Sequence, residues 1–114
     1  VQDYLIQVAY TPEAMAALVA NPQDRSEVVR PVVEKLGGTL KSAYFAFGEY
    51  DVIVLVSMPS NVDAGALAMA FAGGGALKSV KTTPLLSIAE GVEALRKAGT
   101  AGYQPPQKVA KAGS

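Results

Sequence analysis

The 114-residue chain contains neither cysteine nor histidine. Without cysteine it can form no disulfide, thiolate nucleophile or iron–sulfur centre, and the redox compartment leaves no mark on it. Without histidine it has no Ser-His-Asp triad, no imidazole base and none of the usual zinc, copper or proximal-haem ligands. Charge of one sign is lacking too: ten basic residues balance ten acidic ones. No Lys/Arg run or stripe breaks that balance, so neither a nucleic acid nor a membrane surface is expected as a partner. No apolar run approaches the ~20 residues of a membrane-spanning helix, and no basic segment followed by an apolar one opens the chain. The expectation is a cytoplasmic protein without metal or cofactor, with a segment removed ahead of Val1 left open. Half the residues are hydrophobic, which suffices for one core at this length but not for two.

Aromatic residues amount to only 7%, yet Tyr44, Phe45, Phe47 and Tyr50 fall close together. They lie in the stretch from Ser42 to Val56, which reads as a β-hairpin because both arms are rich in aromatic and β-branched residues. Gly48-Glu49 between the arms fits a two-residue type II′ turn, which needs φ > 0 at its first position. That turn would place Phe47 opposite Tyr50 as a cross-strand aromatic pair, Phe45 opposite Val52 and Tyr44 opposite Ile53. One face would then carry Phe45, Phe47, Tyr50, Val52, Val54 and Val56, and the other Tyr44, Ala46, Asp51, Ile53 and Leu55. Both faces are largely apolar, whereas an antiparallel sheet in a monomer usually wets one of them. The hairpin therefore asks for a cover on each side.

In chain order, Tyr4 to Tyr10 reads as a first strand. Thr11-Pro12-Glu13 then caps a helix to Ala20, Asn21-Pro22 interrupts it, and helical spacing resumes from about Gln23 to Leu36. Val29, Val32, Val33 and Leu36 form its apolar stripe. Pro31 lies inside that stripe and predicts a kink or a helix that starts only a few residues before it. Gly37-Gly38 ends the helix. After the hairpin, Ser60 and Asp63 open a helix of small residues over Val62–Ala72, with Leu67, Met69 or Ala70, and Phe71 available for burial. The three methionines Met15, Met58 and Met69 read as core filler. Gly73-Gly74-Gly75 lacks the flanking strand and Lys-Ser/Thr of a phosphate loop and reads as a helix stop. A fourth strand follows from Leu77 to Thr83. Ser87-Ile88-Ala89-Glu90 is a capping box for a short helix to Ala98.

The order strand, helix, strand, strand, helix, strand, helix predicts an α+β, ferredoxin-like βαββαβ domain. Right-handed crossovers give it an antiparallel sheet of order 4-1-3-2, with both main helices on one side. The domain is expected over residues 1–99, with residues 100–114 a flexible tail. On the open side the mixed hairpin face suits an interface or cleft. Two classes of function fit it. One is a small homodimer or higher homo-oligomer whose intersubunit cleft binds a small ligand or a partner protein. The other is a cofactor-free enzyme with Asp51 as base and Tyr44 as hydrogen-bond donor to an oxyanion. The first is favoured, because without histidine the second needs an unusually perturbed carboxylate. Candidate ligand-binding residues are Tyr44, Tyr50, Asp51 and Gln7, with Gly48 and Glu49 as the turn and no metal ligand.

The run Lys35-Leu36-Gly37-Gly38, then Tyr44, then Gly48-Glu49-Tyr50-Asp51-Val52, a small-residue helix and the strand Val80-Lys81-Thr82 resembles the GYD-domain family. Gly48, Tyr50 and Asp51 match the Gly-Tyr-Asp signature for which that family is named. The likeness covers about residues 4 to 97. It implies an architecture similar to the dimeric α/β-barrel group, whose members pack two open sheets together. Some of that group are monooxygenases or haem proteins, and the ligand-sensing domains of leucine-responsive regulators carry a related Gly-x-Tyr-Asp hairpin. This chain departs from the haem members in lacking histidine, and from the family's usual helix in carrying Pro31. Its Pro-containing tail lies outside the resemblance.

Overall fold

A computed structural model describes residues 1–106 of the chain. Its elements run β1 (Gln2–Tyr10), α1 (Pro12–Ala20), α2 (Ser26–Lys35), β2 (Thr39–Phe45), β3 (Val52–Met58), α3 (Asn61–Gly73), β4 (Leu77–Pro84) and α4 (Ile88–Gly99). The four strands form one antiparallel sheet of order β2-β3-β1-β4. This is the expected ferredoxin-like order read from the other edge, and α2 and α3 cover one side of it. Of the expected tail, residues 100–106 are exposed and form no helix or strand, and residues 107–114 lie outside those described.

Strand alternation sends Tyr4, Ile6 and Val8 of β1, Val52, Val54, Val56 and Met58 of β3, and Leu40 of β2 to the helix side. All are buried there with Val33, Ala64 and Leu67. The expected division of the hairpin faces holds for the three valines. It fails for the aromatics: Phe45 is 67% exposed and Phe47 is fully exposed, because the covering helices end short of the hairpin tip. Tyr4 shares the buried face of β1 with Ile6 and Val8. Its hydroxyl donates to the Asn61 Oδ1 at the first turn of α3, which lets a phenol be buried without an orphaned polar atom.

The local signals at the helix ends act as expected. Thr11 Oγ1 accepts the Ala14 N–H at 3.1 Å with Pro12 just inside α1, and Ser60 Oγ accepts the Asp63 N–H at 3.2 Å at the start of α3. α2 begins at Ser26, five residues before Pro31, so Pro31 sits within the helix and lacks the N–H that would otherwise reach the Glu27 carbonyl. Ser26 donates its hydroxyl and its backbone N–H to the Asp24 carboxylate just ahead of α2. These bonds, the hydroxyl's first, hold Asp24 below the usual carboxylate range. A lowered carboxylate supports the start of α2 above its ordinary range and loses that effect as pH falls through the lowered value.

Three sequence expectations need correcting. Val32 is exposed at the edge of a groove rather than packed, since α2 and α3 do not close over the centre of the sheet. Met69 (75% exposed) and Met15 point outward, leaving Met58 as the methionine that fills the core. The hairpin tip is not a two-residue type II′ turn. Residues 46–51 lie outside both strands, the Ala46 N–H reaches the Asp51 carbonyl at 2.7 Å, and Gly48 does not adopt positive φ. Tyr50 and Phe47 therefore do not form a paired rung. The register below the tip is nonetheless as expected, with Tyr44 opposite Ile53 and Phe45 opposite Val52.

Candidate functional site

The side of the sheet away from α2 and α3 carries the residues that the hairpin pattern left unexplained. Following the registers across the strands, Tyr44, Ile53, Gln7 and Lys81 form one row, and Ser42, Leu55, Leu5 and Thr83 the next. Leu5, Leu55 and Ile53 thus make an apolar centre, each partly open to solvent. Around it stand Gln7, Ser42, Lys81 and the ion pair between Lys41 Nζ and Asp3 Oδ2 at 3.0 Å. An apolar centre with a polar rim is the anatomy of a protein interface.

Gln7 and Tyr44 are brought together on this face, flanking Ile53, and Tyr44 is 67% exposed. Tyr50 is half-buried in the hairpin loop beside it. Asp51 is turned elsewhere. Its Oδ2 accepts the backbone N–H of Tyr10 at 2.8 Å, while its own N–H donates to the Val8 carbonyl at 2.8 Å. The β1–β3 ladder stops at Val8–Val52, so the carboxylate supplies the acceptor that the next rung would have given. Tyr10 also sits at the point where the β1–β4 register shifts. Asp51 therefore ties the end of β1 to the hairpin at the place where β1 changes its pairing on the other side.

A family model described as "GYD domain" matches residues 4–95. The chain belongs to the GYD-domain family. The Asp of the signature accordingly has a visible task in this GYD domain, as the acceptor that closes the β1–β3 ladder. No curated protein matches the chain. Among solved structures, the C-terminal domain of the MgtC protein from Mycobacterium tuberculosis is similar at a TM-score of 0.54 and 15% identity, over 74% of this chain and 87% of that one. That likeness is one of fold alone. FFRP-DM1 aligns at a TM-score of 0.49 and 20% identity over 75% of this chain and 100% of that one. The hypothetical protein PHS023 from Pyrococcus horikoshii aligns at 0.47 and 20%, over 76% and 92%.

Sequence reasoning missed a groove of about 240 Å³ on the helix side of the GYD sheet, between α2 and α3, lined by Val28, Val32, Val54, Ala70, Phe71 and Leu77 among others. Its signals were present but mute. The small residues of α3 cannot reach across to α2, and the Asn21-Pro22 break lets α1 stand off without burying a residue. Among the described residues no group of acidic side chains is placed to hold a metal ion, and no helix is long and apolar enough to cross a membrane.

Proposed function

We propose that this GYD domain works as a homo-oligomer, with the open sheet faces of two copies packed together in a dimeric α/β-barrel arrangement. The cleft so formed binds a small ligand or docks a partner protein. The observation that carries the reading is the Leu5–Leu55–Ile53 centre, partly open to solvent and framed by polar side chains on a sheet face that no helix among the described residues buries. Tyr44, Gln7 and Lys81 bring a hydroxyl, a carboxamide and an ammonium into one row beside that centre, a donor set that suits a small molecule bearing acceptor oxygens. A cytoplasmic setting without nucleic-acid partners belongs to the same proposal and rests on the balanced, stripe-free charge.

The competing reading, a cofactor-free enzyme with Asp51 as base, has less support. The Asp51 carboxylate is engaged with the Tyr10 N–H rather than aimed at Tyr44, and a base must be within reach of the proton it takes.

Leu55→Ala tests the interface. The substitution removes one buried leucine from each copy, and with roughly 1 kcal/mol lost per copy the dimer dissociation constant should rise about 10- to 100-fold, each 1.4 kcal/mol being a factor of ten. Sedimentation velocity across a dilution series reads this directly, with circular dichroism confirming the retained fold. An unchanged dissociation constant would place the interface elsewhere.

A further inference from the structure

The groove between α2 and α3 lies on the opposite side of the sheet from the proposed cleft, and it is polar at one end only. Its floor is the central pair of strands, with Ile6 and Val8 of β1 beside Val54 and Val52 of β3. The register fixes which end is which. Val8 and Val52 form the last rung before the hairpin loop, and Tyr10 and Leu77 lie just beyond it at the same end of the sheet. α2 starts at this end, since Arg25 and Ser26 share a smaller hollow with Val52 and Phe45. The groove's polar side chains, Arg25, Ser26 and Tyr10, thus gather there. Val32 stands about two turns, roughly 10 Å, further along α2, and the groove beside it, over Ile6 and Val54, is apolar.

Arg25 is half-buried at this mouth, and among the described residues it forms no ion pair. Its guanidinium donates from Nη1 to a neutral acceptor, the Gln23 Oε1, at 2.8 Å. The two carboxylates at this end are already engaged. Asp24 accepts the Ser26 N–H and hydroxyl, and Asp51 accepts the Tyr10 N–H. Because Asp24 takes up the first N–H groups of α2 through its carboxylate and its carbonyl, an anion here would be held by the guanidinium and not by the helix end. A carboxylate suits that guanidinium better than Gln23 does. It can accept two parallel bonds from the arginine fork, and charge assistance makes each roughly twice as strong as a bond to a neutral acceptor. Tyr10 lines the same end, and its hydroxyl makes no hydrogen bond among the described residues.

Volume narrows the occupant further. An apolar cavity of about 150 Å³ holds benzene, so a groove of about 240 Å³ has room for about ten non-hydrogen atoms. We propose that the α2–α3 groove binds a small amphiphilic monocarboxylate of the medium-chain fatty acid class, with its chain along Val32, Val54 and Phe71 and its carboxylate on Arg25. An apolar body fixed by a few polar groups at one end is the usual form of a small-molecule site. This site is independent of the face-to-face dimer.

Amide chemical shifts of the isotope-labelled full chain, titrated with octanoate, test the proposal. Saturable shifts are expected at Val28, Val32, Phe71 and Leu77, with a Kd on the order of 0.1 mM, while Leu5, Ile53 and Leu55 on the open face stay in place. Arg25→Gln removes a side chain bonded only to Gln23, and should weaken octanoate about tenfold with the melting temperature unchanged. Octanol, with the same chain and no charge, should bind more weakly and equally to both proteins. Octanol or octylamine binding the wild type as tightly as octanoate would overturn the carboxylate assignment. Octanoate shifts confined to the open face would place the ligand in the intersubunit cleft and overturn the groove. So would the absence of any octanoate response in the millimolar range, or groove shifts that follow protein concentration alone, which would give the groove to a second copy. A monomeric chain that binds octanoate as described would support the groove while removing the cleft.

Discussion

Gly38→Ala is expected to be the most damaging small substitution in this domain. A Cβ at this position would lie 2.7 Å from the Ser57 carbonyl oxygen and 2.4 Å from the Met58 sulfur. The sulfur ends a flexible side chain, although one held at the centre of the core. The carbonyl belongs to β3 and can move only with its strand. β2 and β3 would have to separate where the chain enters β2, and overpacking of this kind costs about 2–3 kcal/mol. For a domain of this size the melting temperature should fall by roughly 10–20 °C. Gly37 beside it is constrained differently. Its φ of +85° is a left-handed conformation that side chains resist, which ends α2 and turns the chain into β2. A Gly38→Ala variant melting within a few degrees of the wild type would mean that β2 and β3 are more loosely apposed than described.

Asp51→Ala should cost about 1–3 kcal/mol, the range for leaving a partly buried backbone donor unpaired, here the Tyr10 N–H. Asp51→Asn keeps an acceptor oxygen at the same place and should cost less than half as much, because only the charge assistance is lost. Urea denaturation of the pair separates a structural acceptor from a catalytic base. A catalytic base would leave stability unchanged or raised in both variants. Equal and negligible losses in the two variants would contradict the role assigned here.

The element order, the sheet order and the helix caps could be read from the sequence because they rest on local signals with a physical cause. Examples are Thr11-Pro12, Ser60, the Ser87–Glu90 capping box, and the left-handed Gly37. The pairing of Tyr44 with Ile53 and Phe45 with Val52 was legible from where the chain reverses, and the alternation of Val52, Val54 and Val56 showed which face is buried. What escaped were features decided by tertiary reach. Whether Phe45 and Phe47 are covered depends on where α2 and α3 stop, which no periodicity within the hairpin encodes. The turn was misread because Gly48 permits a type II′ conformation without requiring it, and the Asp51 carboxylate holds the loop in another way. The last helix was legible from its capping box, but not that none of its residues would be buried. Of the candidate site, the placing of Gln7 and Tyr44 on one face follows from strand alternation. The engagement of Asp51 with Tyr10 depends on where the β1–β3 ladder stops, at Val8–Val52, which only the assembled sheet shows.

The central claim is that the Leu5–Leu55–Ile53 face is covered by a second copy of the chain. Static light scattering of the unmodified protein at micromolar concentration tests it most directly. A mass at least twice the 11.8 kDa of the single chain is the expected result, and a homogeneous monomer would contradict it.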